Sequence, residues 1–291
     1  MRSNPDWALY QTLLAVIDEG SLSAAARRLG LTQPTVARHI DALEAALGAD
    51  LFVRSQRGLA PTDLAYSLRP HAHLMATTAA ALLRIASGTL HAVAGTVRIS
   101  ASDVVGVEHL PPILARLRRE HPGLVIELSL SDRVDDLLAR EADIAVRMTE
   151  PTQGALLAKR LPPVELGFHA RADYLERRGT PANMTDLDAH DLIGFDTETP
   201  SLLAMAARLV PLDRPGFAFR ADSNLAQLAA IRAGFGIGLC QLGIAQRDPD
   251  LVRVLPTVAL PLPLWIVMHE DLKTSARFRA VFDALADGLA A

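Results

Sequence analysis

Cysteine is almost absent from the chain, and this scarcity limits its chemistry. Among 291 residues only Cys240 is a cysteine, so an intramolecular disulfide and a cluster of cysteine metal ligands are both excluded. Cys240 stands in the apolar segment GIGLCQL, which favours a buried small hydrophobic side chain. A redox role for this residue is the less favoured alternative.

Long hydrophobic runs and lysine are also scarce. No run of about 18 apolar residues occurs, and the N-terminus lacks the apolar core of a signal peptide, so we expect a soluble, cytoplasmic protein with no membrane partner. Lys159 and Lys273 are the only lysines among 29 lysines and arginines, which we attribute mainly to genome bias. The net charge of −4 excludes a uniformly basic nucleic-acid coat protein.

Signatures of common enzymes are missing as well. The P-loop pattern G-x-x-x-x-G-K-[ST] and the nucleophile elbow G-x-S-x-G do not occur. The segment GFGIGL at 234–239 lacks the third glycine of a dinucleotide-binding loop, and it enters a predicted strand instead of leaving one. His71 and His73 lie two positions apart on a predicted helix and so do not share a metal-binding face. We expect no enzyme, no metal and no cofactor.

Residues 21–48 carry the most informative pattern that is present. Two short helical patterns flank a tight turn at 29–32, the arrangement of a helix-turn-helix that offers its second helix to the major groove of DNA. Thr32 is the expected N-cap of that helix, and Pro34 falls in its first turn, where a missing N–H costs nothing. The apolar face of the second helix consists of Val36, Ile40, Leu43 and Leu47.

The other side of this helix carries polar groups suited to DNA. These are Gln33, Thr35, Arg38 and His39, next to Thr32 and Pro34. A glutamine amide can pair bidentately with adenine, and an arginine can reach guanine or phosphate. Thr32 can also contact phosphate together with the helix N-terminus. A wing that begins at Leu51 and Phe52 adds Arg54 and Arg57 as candidate backbone or minor-groove contacts, with solvated surface charges as the alternative.

A long alanine-rich helix is predicted after Pro61 and Thr62, ending near Leu90. Its apolar stripe consists of Leu64, Leu68, Met75, Leu82 and Leu83. A long helix with a single apolar stripe usually needs a partner helix, so we expect a linker that forms a homodimer. Packing of this helix on its own domain is the alternative.

From about residue 95 the pattern alternates between strand and helix. Strands are predicted at 97–100, 125–130 and 143–148, with a helix at Val134–Arg140, and this order favours a parallel sheet. A second stretch shows the same alternation of predicted strands and helices. Its predicted strands are VELGFHA, IGF, FAFR, IGLC and LPLWIVM, and it ends in a helix from Ser275 to Leu289. Two such α/β lobes predict a bilobed domain that binds its ligand in a cleft at the carboxyl ends of the strands.

Candidate ligand-binding residues follow these strands. They are Ser100, Ala101, Ser102, Ser131 and Arg147 in the first lobe, and Phe195, Ser223 and Asn224 in the second. Hydroxyls and backbone N–H groups at a helix start can hold a carboxylate or phosphate, so we expect a small anionic ligand. Ser102 and Ser223 are equally well explained as helix caps, and Arg147 as the partner of a surface acid. Asp132 and Asp222 are better explained as caps than as ligand-binding groups.

These residues together resemble the LysR-type transcriptional regulators over essentially the whole chain. Ala37 departs from the serine usual in the family's recognition helix, and Ala65 departs from a glycine common after the wing. The later segments LPPILARLRREHP, ADIAVRM and LAQLAAIRAGFGIGL resemble the family more loosely. The most specific matches are Gly20, Ser21, Ala24, Ala25, Leu29, Thr32, Gln33, Pro34, Val36, Arg38, Ile40, Leu43, Glu44, Leu47, Gly48, Leu51, Phe52, Arg54, Arg57, Gly58, Pro61 and Thr62.

The resemblance implies a winged helix-turn-helix DNA-binding domain at 1–61, a dimerising linker helix at 62–91, and an effector-binding domain at 92–291 that resembles periplasmic binding proteins. In that last domain, lobe I is expected at about 92–163 and 267–291, and lobe II at about 164–266. A homotetramer that binds inverted repeats in promoter DNA and senses a small metabolite is implied, with RNA polymerase as a further candidate partner. A solute-binding protein without a transcriptional role is the alternative, and an α/β enzyme is a more remote one.

Overall fold

The computed structural model describes residues 5–55, 58–86, 93–131, 142–151, 156–197 and 216–290. The described residues divide into two compact units, one formed by residues 5–86 and the other by residues 93–290. The predicted helix at Val134–Arg140, together with Asp132 and Arg57, lies outside the described residues. Within these residues, every helix is too short or too polar to cross a lipid bilayer.

The N-terminal unit is a helical domain with a small hairpin. Thr32 is the N-cap of α3 (Gln33–Leu47), as the sequence predicts, and Ser21 caps α2 (Leu22–Leu29) in the same way, because each hydroxyl accepts a hydrogen bond from a backbone N–H in the first turn of its helix. Gly20 and Gly48 end α1 and α3 in the left-handed conformation, with φ of 70° and 75°. In chain order the elements are α1 (Trp7–Glu19), α2 (Leu22–Leu29), α3 (Gln33–Leu47), β1 (Phe52–Ser55), β2 (Gly58–Pro61) and α4 (Asp63–Ala86).

Two small apolar clusters hold this unit together. In one, Val36 and Ile40 of α3 pack with Val16 of α1 and with the alanines of α2, whose small side chains allow the helices to approach closely. In the other, Leu43 packs with Leu13, Leu51 and Ala65. The apolar face predicted for the second helix is therefore the buried face of α3.

The second unit is built on a mixed seven-stranded sheet. Its strand order is β10-β6-β11-β5-β3-β4, and β9 also pairs with β6. The strands of the unit are β3 (Gly95–Ala101), β4 (Leu124–Leu130), β5 (Ile144–Arg147), β6 (Leu156–Arg171), β7 (Leu192–Gly194), β8 (Phe217–Arg220), β9 (Gly238–Gln241), β10 (Leu251–Arg253) and β11 (Leu260–His269).

The strand directions agree with the prediction in the first stretch and agree only in part in the second. Strand β3 is parallel to both β4 and β5, as expected. In the second stretch β7 is parallel to β8, whereas β6 is antiparallel to β9, β10 and β11. The prediction also placed only residues 164–170 in β6, which is 16 residues long.

Strand β6 connects two separate cores. Its Leu161 belongs to a first core formed with β3, β5, β11 and two helices, whereas its Phe168 and Ala170 belong to a second core. A third cluster surrounds Leu228 and Ile231. The described helices of the unit are α5 (Leu110–Glu120), α6 (Ala172–Arg178), α7 (Asn224–Arg232), α8 (Leu242–Ala245) and α9 (Ala276–Ala290), and a single π-helical turn (Val105–His109) leads into α5.

Candidate functional site

The exposed side of α3 presents polar side chains at its N-terminal end. The exposed residues here are Gln33, Pro34 and Arg38. The buried residues on the other face of α3 are Val36, Ile40 and Leu43. Thr32 Oγ1 caps the helix by accepting from the Thr35 backbone N–H at 3.4 Å, and the two hydroxyls lie 2.8 Å apart. The start of α3 thus offers an amide, hydroxyls and a guanidinium, which can contact base edges and phosphates.

His39 contacts a neighbouring helix of the same domain. Its ring is half-buried, and its Nδ1 lies 2.9 Å from Oγ1 of Thr12 in α1. The Thr12 hydroxyl donates its own proton to the Ala8 carbonyl oxygen, so His39 Nδ1 donates to Thr12. His39 therefore joins α3 to α1, and its contact with DNA stays a prediction.

The hairpin after α3 is anchored by two residues that match the family pattern. The Glu44 carboxylate accepts hydrogen bonds from the backbone N–H groups of Leu51 and Phe52, at 2.7 and 3.2 Å. Thr62 donates its N–H to the Leu51 carbonyl oxygen and so closes the other end of the hairpin. The backbone of Arg54 lies in β1, but its side chain and all of Arg57 are outside the described part, so contacts of these arginines with DNA stay a prediction.

Helix α4 leaves an apolar surface exposed in the N-terminal unit. Of the predicted stripe, Leu82 and Leu83 are 60% and 74% exposed, whereas Leu68 packs against the Leu13 cluster. The stripe borders an open recess of about 300 Å³ whose lining is formed by Trp7, Leu74, Met75, Thr78, Ala79 and Leu82. Such a surface along a long helix is suited to a partner helix.

In the second unit, the predicted residues of the first lobe lie together at one edge of the sheet. Arg147 is buried, and its guanidinium donates to Ser100 Oγ at 2.7 Å and to the Val146 carbonyl oxygen at 3.2 Å. Ser131 donates its backbone N–H to the Ala101 carbonyl oxygen. These residues stand at the carboxyl ends of the parallel strands β3, β4 and β5, where a ligand is expected in such sheets.

Ser102 differs from its neighbours because its hydroxyl has no hydrogen-bond partner among the described residues. The Oγ atom is buried and makes no hydrogen bond within the described part of the chain, so its side chain does not act as a helix cap. A buried hydroxyl without a partner is energetically costly unless something else satisfies it. This agrees with a polar ligand at this position.

The residues predicted for the second lobe follow β7 and β8. Phe195 comes directly after β7, whose Gly194 carbonyl oxygen accepts from the Ala221 N–H after β8. Ser223 caps α7 by accepting from the Ala226 N–H at 3.3 Å, which confirms its interpretation as a cap, and Asn224 is the first residue of α7. Asp222 accepts hydrogen bonds from Asp196 and Thr197.

A polar cluster that sequence reasoning missed joins the π-helical turn to elements around the third apolar cluster. The Glu108 carboxylate accepts two hydrogen bonds from the Arg232 guanidinium, at 2.6 and 3.1 Å, and these bonds lower the pKa of Glu108. His109 Nε2 donates to Gln241 Oε1 at 2.9 Å, and burial lowers the pKa of this histidine. The partners are more than 120 residues apart in sequence, so no local pattern could have revealed them.

Cys240 is a buried residue, as the sequence predicts. It is 3% exposed within the third apolar cluster, and burial raises the pKa of its thiol to about 11. Because the thiolate is the reactive form, this thiol is poorly suited to oxidation or nucleophilic attack near neutral pH.

Comparison with protein families assigns both units. Residues 7–65 match the model described as "Bacterial regulatory helix-turn-helix protein, lysR family". Residues 91–290 match the model described as "LysR substrate binding domain". Together the two matches cover nearly the whole chain.

Curated relatives align with this chain over most of their length. The probable HTH-type transcriptional regulator LtrA of Klebsiella pneumoniae is 29% identical over 294 residues, covering 97% of this chain and 94% of that protein. The HTH-type transcriptional activator TtdR of Escherichia coli K12 is 27% identical over 282 residues, covering 95% and 91% of the two chains.

Solved structures share the fold across the full chain. CrgA from Neisseria meningitidis, described as a LysR-type transcriptional regulator, is 24% identical with a TM-score of 0.60, and the alignment covers 98% of this chain and 99% of that one. Full-length CbnR in complex with its target DNA is 18% identical with a TM-score of 0.67, and the alignment covers 98% of each chain. At these identities the likeness is one of fold.

Proposed function

This chain belongs to the LysR family of bacterial transcriptional regulators, and from this premise we propose how its residues carry out regulation. It combines a DNA-binding helix-turn-helix with an effector-binding domain. We propose that α3 enters the major groove of promoter DNA with its predicted contact residues against the duplex, namely Thr32, Gln33, Pro34, Thr35, Arg38 and His39. The arginines of the wing, Arg54 and Arg57, then contact the backbone or the minor groove.

One observation carries this proposal: a single helix has one buried apolar face and one exposed face of hydrogen-bonding groups. Val36, Ile40 and Leu43 fix α3 to the domain, so its polar face is held in a defined orientation. The cap at Thr32 leaves the helix N-terminus exposed, where backbone N–H groups and the helix dipole attract phosphate.

The proposed ligand is a small anion held between two sets of residues. Ser100, Ser102 and Arg147 would supply hydroxyls and a guanidinium from the first lobe, with backbone groups of Ala101 and Ser131 beside them. Phe195, Ser223 and Asn224 would complete the pocket from the second lobe. The buried hydroxyl of Ser102 supports this assignment, because an incoming carboxylate or phosphate would satisfy it.

We further propose that the exposed stripe of α4 joins two copies of the chain, and that two such dimers form the homotetramer. This assembly would present paired copies of α3 to the two halves of an inverted repeat.

The domain limits near residues 61 and 91, and the division of the lobes near residues 163 and 266, are also part of this proposal. We also propose that the protein is cytoplasmic, where promoter DNA is found, that it contacts RNA polymerase, and that it has no catalytic activity.

The proposed function is tested by selecting bound duplexes from a random DNA library with the full-length protein. We expect enrichment of an inverted repeat, and a log–log dependence of affinity on salt with a slope near −3.6 if about four phosphates are neutralised. A protein that enriches no sequence at low salt would contradict the proposal.

A further inference from the structure

A serine of α2 contacts the first side chain of α3 on the exposed face of the N-terminal unit. Ser23 Oγ donates a hydrogen bond to Gln33 Oε1 at 3.1 Å, although the two residues belong to different helices. Both side chains are exposed, so the contact is not imposed by burial in the core. Ser23 lies in the first turn of α2, while the N-cap of this helix is provided by Ser21.

The contact defines which end of the Gln33 amide faces Ser23. An amide has a carbonyl oxygen that only accepts and an NH2 group that only donates. Since the oxygen is turned toward Ser23, the NH2 group of Gln33 points away from that hydroxyl. A side chain held in this way also loses less rotamer freedom when it binds a partner.

The orientation has a consequence for base recognition in the major groove. Guanine presents acceptors at N7 and O6, and thymine presents an acceptor at O4, whereas adenine N6 and cytosine N4 present donors. Bidentate pairing with adenine needs Gln33 Oε1 as an acceptor, and that is the atom engaged by Ser23.

We propose that Ser23 is a specificity-determining residue that acts by positioning Gln33. The bond from Ser23 occupies one of the two lone pairs of the Gln33 carbonyl oxygen and turns this oxygen toward α2, so Gln33 presents its NH2 group and favours guanine or thymine over adenine or cytosine at the base it reads. The inference rests on the proposed function, because it assumes that α3 lies in the major groove. The sequence alone predicts that Gln33 pairs with adenine, whereas the contact with Ser23 predicts that Gln33 prefers bases that present acceptors.

The test compares base preferences of four full-length proteins: wild type, Ser23→Ala, Gln33→Ala and the double variant. The probes are the duplex enriched by the wild type and its single base-pair substitutions, measured by fluorescence anisotropy. The base read by Gln33 is the position at which Gln33→Ala loses its preference. At that position we expect Ser23→Ala to raise the affinity for adenine relative to guanine or thymine by about three- to tenfold, the range of one hydrogen bond.

Two further results are expected if Ser23 acts through Gln33. Ser23→Ala should have no additional effect in the Gln33→Ala background, because the hydroxyl then has nothing to position. Ser23→Thr keeps the hydroxyl and should retain the wild-type preference. Alanine is a good helix former, so Ser23→Ala should fold normally.

Ser21→Ala is the matched control. It removes a hydroxyl two residues away that caps α2, so it should lower thermal stability without changing the base preference. An unchanged preference of Ser23→Ala, or an effect that simply adds to that of Gln33→Ala, would overturn the inference while leaving the proposed function intact. A wild type that enriches no duplex would overturn both.

Discussion

At the scale of single residues, Arg38 is the side chain that most directly tests the proposed DNA-binding surface. It is exposed on α3, so its removal should not disturb the core. We expect Arg38→Ala to weaken binding to the selected duplex by about 1–3 kcal/mol, the cost of losing a specific arginine contact. Anisotropy titration measures the loss. Arg27→Ala makes the same charge change on α2 and serves as the control. If Arg38→Ala and the wild type bind the duplex with equal affinity, Arg38 does not belong to the interface.

Ser102 tests the ligand proposal in the same way. Its buried hydroxyl makes no hydrogen bond within the described residues, so Ser102→Ala should keep the thermal stability of the ligand-free protein. We expect this variant to lose the increase in melting temperature that a small carboxylate or phosphate ester gives the wild type. The probes are a panel of such anions, screened by thermal shift.

Ser223→Ala is a useful comparison, because it removes a helix cap and should lower the melting temperature even without ligand. A ligand-induced shift that is the same in Ser102→Ala and the wild type would place the ligand away from Ser102.

At the scale of elements, α4 carries the proposed dimer interface. Leu82 is 60% exposed and lines the apolar recess with Met75 and Thr78. A charge at this position would be buried without a partner in a helix-to-helix interface, so Leu82→Glu should shift the protein toward monomers. Sedimentation velocity measures the change. Ala80→Glu places the same charge at an exposed position of α4 outside the recess, and dissociation of both variants to the same extent would argue against this interface.

Elements with local signals were predictable, and contacts between distant elements were not. The ends of α1, α2 and α3 follow from capping residues that act on their own turns, such as Ser21, Thr32 and Gly48. The contact between His39 and Thr12 was not predicted, because Thr12 lies on another helix and periodicity does not reveal such a partner. Glu108 was overlooked for the same reason, since Arg232 approaches it only after folding.

Strand β6 shows why the sheet was only half predicted. Pro162 and Pro163 lie in its middle, and proline normally ends a strand because it has no N–H to donate. In the structure the pairing with β11 shifts register opposite these prolines, which lets the strand continue to Arg171. The direction of β11 was equally hidden, because antiparallel pairing with β5 brings together segments more than 110 residues apart.

At the scale of the whole molecule, two histidines make the stability of the second unit depend on pH. Burial lowers the pKa of both His109 and His169 below the ordinary value of 6.5. When the pH falls below about 6.5, the unfolded chain therefore binds more protons than the folded chain. The free energy of unfolding then decreases as the pH falls from about 6.5 to the pKa values of the two histidines in the folded protein. We expect a lower melting temperature at pH 5.5 than at pH 7.5.

Tryptophan fluorescence can follow this transition, because Trp265 lies in the same unit as both histidines and Trp7→Phe removes the signal of the other unit. Replacing His109 and His169 by glutamine should flatten the dependence between these pH values. Exposed His71→Gln is the control and should keep the wild-type slope. A melting temperature that does not fall toward pH 5.5 would contradict the assignment of these histidines as neutral in the fold.

The placement of α3 against duplex DNA is tested most directly by DNA cleavage from a tethered iron-EDTA reagent. Leu31→Cys introduces an exposed thiol just before α3 and leaves Gln33 and Arg38 in place, and Cys240 stays unlabelled because it is buried with a pKa of about 11. We predict strand cuts inside the selected inverted repeat, at symmetric positions in its two halves, and none from a reagent attached through Ala80→Cys. Protection of the repeat without cuts from the label at position 31 would contradict the account.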